Sequence, residues 1–272
     1  MTEFPHLFYD QPVAVVDVET TGLSALYGDR ICEVGIVCAQ GDQILDTYQS
    51  LVNPQRLISP GAARVNGLSD AEVCQAPLFA EIASQVLERI NGAVLVCHNA
   101  PFDLGFLDAE LARLRLPWQP AGVIDTLEIA RRCYHFSSNG LSRVAARLRI
   151  ETPQAHRALG DALTTFQVFR HFYHDLTGST TFQEQELVSE HHPATFRLEV
   201  LNLPPELQEA LAGNESIVIT YVDAKGAETD RMITPLSIRA ANDYIYLFAY
   251  CHLRQAERSF RLDRIIEIGR ID

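Results

Sequence analysis

The sequence predicts an α/β domain with a mixed, five-stranded sheet flanked by helices, followed by a smaller and mostly β domain. Three observations support this: strand patterns open the chain, strand and helix patterns then alternate, and the periodicity changes after a polar segment. An antiparallel hairpin unit followed by parallel units implies a mixed sheet with helices against it. The 272 residues are enough for two domains.

The first three strands form one antiparallel unit in this interpretation. Residues 13–18 form a short apolar run that is rich in β-branched side chains and ends in acids, which is typical of a buried strand. Residues 31–39 and 43–52 flank the turn at residues 40–42, a pattern that predicts a hairpin. The later elements are predicted as helix 77–90, strand 93–97, helix 101–114, strand 122–124 and helices 126–133, 141–148 and 158–176.

The C-terminal part has a different pattern. Residues 178–192 lack periodicity and are rich in Ser, Thr, Gln and Glu, which favours a linker. We therefore place a first domain at residues 10–176, a linker at 177–196 and a second domain at 197–272. The second domain is predicted to contain strands 216–222, 231–239, 244–251 and 259–268, with a turn at 223–228.

Composition limits the class of protein. The formal net charge of −13 is unusual for a nucleic-acid-binding protein, although bound cations would offset acids that act as metal ligands. Six cysteines are scattered singly, so a zinc ribbon is not expected and the thiols are predicted to be reduced. The chain has no run of about 18 apolar residues and no basic leader, so we expect a cytoplasmic protein.

Carboxylates provide the main functional signal. Asp17 and Glu19 are two apart at a strand end and therefore share one face. Adjacent buried carboxylates need a neutralising partner such as a divalent metal. The alternative interpretation of such a pair, taken alone, is a strand end that is exposed to solvent and binds no metal. Asp103 follows strand 93–97 in the first turn of a helix, at the sheet edge where α/β proteins bind ligands. His156 and Asp161 lie five apart at another helix start.

Three segments carry a family resemblance: residues 16–22 (VDVETTG), 98–103 (HNAPFD) and 156–161 (HRALGD). They resemble the three motifs of the DnaQ-like exonucleases of the DEDDh type, a family that includes the proofreading subunit of bacterial replicative polymerase. The resemblance covers roughly residues 10–176. It implies a ribonuclease H-like fold and a 3′→5′ exonuclease that hydrolyses phosphodiester bonds and releases nucleoside monophosphates.

The resemblance also implies catalytic roles for five residues. Two Mg²⁺ or Mn²⁺ ions would be held by carboxylates, because hard cations prefer oxygen ligands. Asp17 would contact both metals, Glu19 and Asp161 would complete one site, and Asp103 would serve the other largely through water. His156 would be the general base, since the ordinary pKa of histidine lies near neutrality.

Other residues are expected to shape the substrate pocket. The residues expected to line the terminal-nucleotide pocket are Thr20, Thr21, Gly22 and Leu23, with Leu23 wedged against the last base. Phe102 is a candidate for base stacking and equally a candidate core aromatic. Asn99 is expected to brace the site, His98 to be structural and Asp125 to cap the following helix.

The C-terminal domain resembles a WYL domain on residues 244–251 (YIYLFAYC) and 259–265 (SFRLDRI). Ile245 stands where this family has an aromatic residue. The resemblance implies an Sm/SH3-like β-barrel that senses a ligand or binds nucleic acid. The candidate site residues are Tyr221, Tyr246, Arg254, Arg258, Arg261 and Arg264. An ion-paired or solvated β surface is the alternative.

The expected substrate is DNA with single-stranded or frayed 3′ ends. An exoribonuclease remains an alternative, because the contact to a 2′-hydroxyl that separates RNA from DNA cannot be identified from the sequence. A regulatory nucleic-acid-binding protein on a nuclease fold is a second alternative. Association with a polymerase follows from family analogy alone, and the oligomeric state is not predicted.

Overall fold

The computed structural model describes residues 7–25, 28–152, 155–177, 187–191, 203–223, 227–241 and 244–270. The first sheet has five strands in the order β3-β2-β1-β4-β5. The strands are β1 Val13–Thr20, β2 Ile31–Gln40, β3 Gln43–Leu51, β4 Val94–Cys97 and β5 Gly122–Asp125. β1 pairs antiparallel with β2 and parallel with β4, which confirms the predicted mixed sheet.

Eight helices flank this sheet among the described residues. They are α1 Leu7–Asp10, α2 Pro60–Asn66, α3 Asp70–Val73, α4 Phe79–Ile90, α5 Ala100–Arg113, α6 Thr126–Cys133, α7 Leu141–Leu148 and α8 Ala158–Thr177. The sequence interpretation missed α1, α2 and α3, which are short. α2 nevertheless has readable end signals, because Ser59 caps its start and Gly67 ends it in the left-handed region.

The sheet is buried on both faces, and strand β1 shows how. Its residues Ala14, Val16 and Val18 belong to a core shared with α4 and α5. Val13 and Val15 face the opposite core, which contains residues of α6, α7 and α8. Because side chains alternate along a strand, the residues at positions 17 and 19 continue the row that faces α8.

The C-terminal domain is an antiparallel sheet of five strands packed on one helix. The order is β10-β6-β7-β8-β9. The elements are α9 Pro205–Gly213, β6 Ile217–Val222, β7 Glu228–Ala241, β8 Tyr244–Cys251, β9 Ala256–Arg261 and β10 Ile265–Arg270. Leu207 of α9 packs with Ile219 and Leu247 in the core of this domain.

Two details of the C-terminal prediction were wrong. The expected strand 259–268 is two strands, separated by the 3₁₀ turn Leu262–Arg264. Leu262 and Ile265 are both buried, and residues three apart cannot share one face of a strand, so the chain must change phase between them. The expected barrel is also not closed: β9 and β10 lie at opposite edges, and no pairing joins them in the described ranges.

Part of the predicted linker packs against the first domain. Ser189 forms a two-way backbone hydrogen-bond pair with Val123 of β5. Leu187 is buried, and the His191 ring lies 5.1 Å from the Trp118 ring. Residues 187–191 therefore extend the edge of the sheet. The rest of that segment, residues 178–186 and 192–196, and the first residues of the second domain lie outside the described ranges.

The two domains contact each other in two places. On one side, α2 packs against β10 and the 3₁₀ turn, and Arg64 forms an ion pair with Glu228. Leu23 packs against the hydrophobic core of the C-terminal domain. On the other side, Arg131 and Asn139 bond to Glu209 of α9 at 3.3 and 2.7 Å. Among the described helices, none is long and apolar enough to cross a membrane.

Candidate active site

Three carboxylates meet at the end of β1. Asp17 and Glu19 project from β1 toward α8, and Asp161 lies in the first turn of that helix. One oxygen of each of these three residues lies within 4.8 Å of the others. The sequence separates Asp161 from the other two by more than a hundred positions, so the fold brings these side chains together.

A glycine in β2 allows this approach. Gly35 is the register partner of Asp17, so a side chain there would point to the same face. A Cβ at Gly35 would lie 2.3 Å from backbone atoms of Ala158 and Leu159. The absence of a side chain therefore lets the first turn of α8 pack directly on the sheet, which places Asp161 beside the two acids of β1.

Asp103 completes the acidic set from α5. It is 3 % exposed, and its Oδ1 accepts a hydrogen bond from the backbone N–H of Val18 at 3.0 Å. Val18 lies between the two acids of β1, so Asp103 is bonded to the strand at the site itself. It is not one of the three residues with oxygens within 4.8 Å of each other. This separation agrees with a less direct part in metal binding.

Burial and mutual repulsion raise the carboxyl pKa values in the absence of a cation. The pKa of Asp17 lies well above its ordinary value because of burial and the nearby charge of Asp103. Burial and the charge of Asp161 raise the pKa of Glu19 to about 8. The pKa values of Asp103 and Asp161 are also raised, in each case chiefly by burial. These acids share protons or bind a cation rather than remain fully ionised together.

The donor set fits a hard divalent cation. All the candidate ligand atoms are carboxylate oxygens, which suit Mg²⁺ or Mn²⁺ better than softer metals. A cation would remove the repulsion that raises the pKa values of these groups. Asp17, Glu19 and Asp161 are the residues that the structure brings close enough to share one ion.

His156 lies on the turn immediately before α8. Its side chain is exposed, and its φ of 63° is in the left-handed region, which is uncommon for a residue with a side chain. Its backbone N–H donates to Oδ2 of Asp161 at 3.1 Å. The imidazole is therefore attached next to the carboxylate cluster and is open to solvent, as a group that exchanges protons with water must be.

The sequence interpretation missed one acidic residue near this site. Glu33 of β2 is fully buried and is the register partner of Glu19. It accepts hydrogen bonds from the guanidinium of Arg157, at 2.7 Å for the shortest, and from the backbone N–H of Ala158 at 3.1 Å. The signal in the sequence was a single acid inside the otherwise apolar run at residues 31–39.

The residues expected to contact a terminal nucleotide form a tight loop after β1. Thr20 and Thr21 are buried, and the Thr21 hydroxyl donates to Asp29 at 3.2 Å. A Cβ at Gly22 would lie 2.4 Å from the same Asp29 carboxylate. These side-chain positions fix the shape of the loop. Leu23 is partly buried and contacts the C-terminal domain.

The second motif is held by an internal network. The Asp125 carboxylate caps α6 through the backbone N–H of Leu127 and also accepts the N–H groups of Asn99 and Ala100. Asn99 has φ 75°, so this carboxylate supports a left-handed turn before α5. Phe102 is partly buried with its ring 5.0 Å from that of Phe106, and its role in base stacking stays a prediction.

His98 has a structural environment. Its Nε2 donates to the carbonyl of Asn139 at 2.8 Å, and its Nδ1 lies 2.9 Å from the hydroxyl of Thr126. Burial lowers the pKa of His98 from 6.5 to about 4. The ring is therefore neutral at neutral pH and connects α6 to the loop that precedes α7.

We expect His98 to make the protein sensitive to acid. Its folded pKa is depressed, so the unfolded chain binds the proton more tightly, and the contribution of His98 to stability is lost as the pH falls from about 6.5 towards 4. The loss should reach up to about 3 kcal/mol for this one group. Chemical denaturation of the wild type and of His98→Gln at several pH values measures it as the change with pH in the difference between the two stabilities, because the raised carboxyl pKa values act in the opposite direction on both proteins. A difference that stays constant with pH would contradict the assignment.

The candidate residues of the C-terminal domain lie on several elements. Tyr246 is the register partner of Arg261, and the Tyr221 hydroxyl accepts the backbone N–H of Arg261 at 3.5 Å. Arg258 is exposed in β9, whereas Arg254 lies in the exposed turn between β8 and β9. Arg264 lies in the 3₁₀ turn. Arg254 and Arg258 therefore do not share one strand face.

Comparison with known families follows this division of the chain. The model of the family described as Exonuclease matches residues 14–169, and that of the WYL domain matches residues 203–269. The chain is 38% identical over 156 residues to a DNA polymerase III PolC-type from Caldanaerobacter subterraneus subsp. tengcongensis. It is 35% identical over 161 residues to a protein of the same name from Staphylococcus aureus. The matches cover 57% and 59% of this chain, but only 11% of each relative.

Solved structures show the same fold. Exonuclease X in complex with 5′ overhanging duplex DNA has a TM-score of 0.50 and 24% identity, and the match covers 64% of this chain and 96% of that one. E. coli Exonuclease I in complex with a dT13 oligonucleotide has a TM-score of 0.54 and 14% identity. That match covers 96% of this chain and 66% of the other.

Proposed function

Because the chain belongs to the exonuclease family, we propose that it is a metal-dependent 3′→5′ exonuclease that removes nucleoside monophosphates from DNA. The observation that carries the proposal is the convergence of Asp17, Glu19 and Asp161 within 4.8 Å, with Asp103 bonded to the intervening strand. The relatives named DNA polymerase III PolC-type support DNA as the substrate.

The carboxylates are proposed to hold two Mg²⁺ or Mn²⁺ ions. Asp17, Glu19 and Asp161 would supply one site, and Asp17 with Asp103 would supply the other. When bound, such ions stabilise the charge on the attacking and leaving oxygens of an in-line displacement at phosphorus. The protein contributes rigid ligands, because two come from one strand and each of the others comes from the first turn of a helix.

His156 is proposed to accept the proton of the attacking water. Its imidazole is exposed beside Asp161, and its backbone N–H is held by the same carboxylate. A histidine base has a pKa near the working pH, which favours proton transfer in the transition state. The loop at residues 20–23 is proposed to receive the terminal nucleotide, with its buried threonines keeping the backbone in place.

The proposal is tested by digestion of oligonucleotides that carry a 5′ label. We expect shortening from the 3′ end in Mg²⁺, no shortening in EDTA, and faster digestion of single-stranded than of blunt double-stranded DNA. RNA of the same sequence forms the comparison arm. Faster digestion of RNA would contradict DNA as the preferred substrate and favour an exoribonuclease. Early release of the label from the 5′ end would contradict the proposed polarity.

We further propose that the C-terminal domain adds phosphate contacts for the single strand. Arg254 and Arg258 are exposed on this domain. The domain also packs on Leu23, at the loop proposed to receive the terminal nucleotide. The domain that carries these arginines therefore adjoins the loop proposed to receive the terminal nucleotide, and guanidinium groups suit phosphate oxygens.

The double variant Arg254→Ala/Arg258→Ala should bind single-stranded DNA more weakly and with less salt dependence. Loss of two phosphate contacts would reduce the slope of log affinity against log salt by about 1.4. Fluorescence anisotropy at several salt concentrations, in Ca²⁺ to slow cleavage, measures this slope. Arg170→Ala is the matched control, because Arg170 lies on α8 beside Asp42. An unchanged slope in the double variant would remove the proposal.

A further inference from the structure

We infer that Glu33 and Arg157 form a clamp that positions His156 for proton transfer. The inference rests on the proposed role of His156. Glu33 and Arg157 would act through the turn that carries the histidine, and neither would touch the substrate. They are therefore positioning residues, and the juxtaposition that points to them is a buried carboxylate bonded to the residue next to His156.

The contacts of Glu33 account for its complete burial. Its carboxylate receives Arg157 Nη2 at 2.7 Å and Nε at 3.0 Å, which is a two-point contact. It also receives the backbone N–H of Ala158 at 3.1 Å and Gln49 Nε2 at 2.7 Å. Four donors thus converge on one carboxylate, and a buried charge needs such partners.

Stability alone does not explain the location of this ion pair. Glu33 is paired with Glu19 in the sheet, and its negative charge helps to raise the pKa of Glu19. A fifth acid beside four crowded carboxylates adds repulsion. An apolar side chain at this position would relieve that repulsion, since buried ion pairs are weak contributors to stability. The buried charge of Glu33 is better explained by the contacts with which it holds the turn before α8.

The clamp fixes the turn from both sides. Glu33 accepts the N–H of Ala158, and Asp161 accepts the N–H of His156. His156 has φ 63°, a conformation that persists only when its surroundings hold it. Arg157 lies between His156 and Ala158, and its side chain bonds to Glu33 of β2. Residues 156–158 are therefore held by Glu33 of β2 and by Asp161 of α8.

This arrangement explains how an exposed histidine can keep a defined position. The imidazole itself is open to solvent, so its direction depends on the backbone below it. A proton acceptor must remain within hydrogen-bond distance of the water from which it takes the proton. Release of the turn would lower the fraction of molecules in which His156 is correctly placed, and substrate binding would be unaffected.

A double-mutant cycle tests the inference in the full-length chain. Glu33→Gln should lower kcat about 10- to 100-fold at saturating Mg²⁺, which is the usual effect of losing a supporting contact. The KM for a single-stranded oligonucleotide should stay within about twofold, because the contact acts on kcat alone. In a His156→Ala background, measured at high enzyme concentration, Glu33→Gln should have almost no further effect.

Arg157→Gln provides a second variant, because Arg157 is partly exposed and its replacement disturbs the core less. It should reproduce the loss in kcat, and Arg157→Lys should restore part of it. If Glu33→Gln and Arg157→Gln lower the residual rate of His156→Ala as much as they lower the wild-type rate, the clamp is refuted and the base assignment stands. If His156→Ala itself has the wild-type kcat, the proposed base and the clamp both fail.

Discussion

Asp17→Asn should lower kcat by about 10³- to 10⁴-fold, a loss typical of removing a central catalytic group. Asp17 is the residue proposed to serve both metal sites, so its loss would affect both. The asparagine keeps the size and the hydrogen-bonding oxygen but removes the negative charge. Hydrolysis of a 5′-labelled oligonucleotide in Mg²⁺ measures the rate.

The same variant should not unfold the protein. The pKa of Asp17 is raised in the folded state, so the folded chain binds its proton more tightly than the unfolded chain. Stability therefore falls as the pH rises through the folded pKa, and asparagine removes this loss. The metal-free variant should unfold at the wild-type temperature or above it at pH 8. An inactive variant that also unfolds early would give no support to a catalytic role.

Asp46→Asn is the matched control for this prediction. Asp46 is exposed on β3 and pairs with Arg89, away from the cluster. The control should keep wild-type activity. A kcat for Asp17→Asn equal to that of Asp46→Asn would contradict the assignment of Asp17.

His156→Ala should lower kcat about 10²- to 10⁴-fold, the usual contribution of a general base. KM should change little, because the side chain is proposed to act on the water and not on the nucleic acid. Histidine occurs at positive φ more often than alanine, so the unfolding temperature of the variant is measured beside its rate to separate backbone strain from loss of the base. Steady-state kinetics on a single-stranded oligonucleotide measure both constants.

His171→Ala is the control for the loss of a histidine near the same helix. His171 is exposed on α8, three turns from the helix start. It should leave kcat unchanged. If added imidazole restores part of the activity of His156→Ala and none is needed by the control, a proton-transfer role is supported. A wild-type kcat in His156→Ala would contradict it.

The sequence predicted the sheet because its signals are local. Residues 13–16 and 93–97 are continuous apolar runs, and such runs mark strands that are covered on both faces. The positions of Asp17 and Glu19 on one face follow from the two-residue repeat of a strand. The helix 126–133 was predicted with its observed bounds, because Asp125 provides a capping signal at its start.

The contribution of Glu33 could not be predicted, since it depends on long-range register. Glu33 lies on the same face of the sheet as Glu19 because the two residues are register partners, and no local pattern near Glu33 determines that register. The close packing of α8 on Gly35 is similarly a property of the assembled sheet. A lone acid in an apolar strand was the only local sign that a partner would be needed.

In the C-terminal domain, prediction from the sequence found the strands but missed a turn within one of them. Its strands were located, but the 3₁₀ turn Leu262–Arg264 was not. The spacing of Leu262 and Ile265 carried the signal, because two buried residues three apart break the alternation of a strand. The contact of Leu23 with this domain joins residues far apart in the chain, and composition gives no indication of it.

Asp17, Glu19 and Asp161 are proposed to bind a divalent cation together. Calorimetric titration of the full-length chain with MnCl₂ at pH 7, in two buffers of different ionisation enthalpy, tests it most directly. We predict binding that releases protons, because the pKa of Glu19 is about 8 before the cation binds. Asp17→Asn should bind at least about tenfold more weakly. Absence of binding to the wild-type protein, or equal affinity in Asp17→Asn, would contradict the claim.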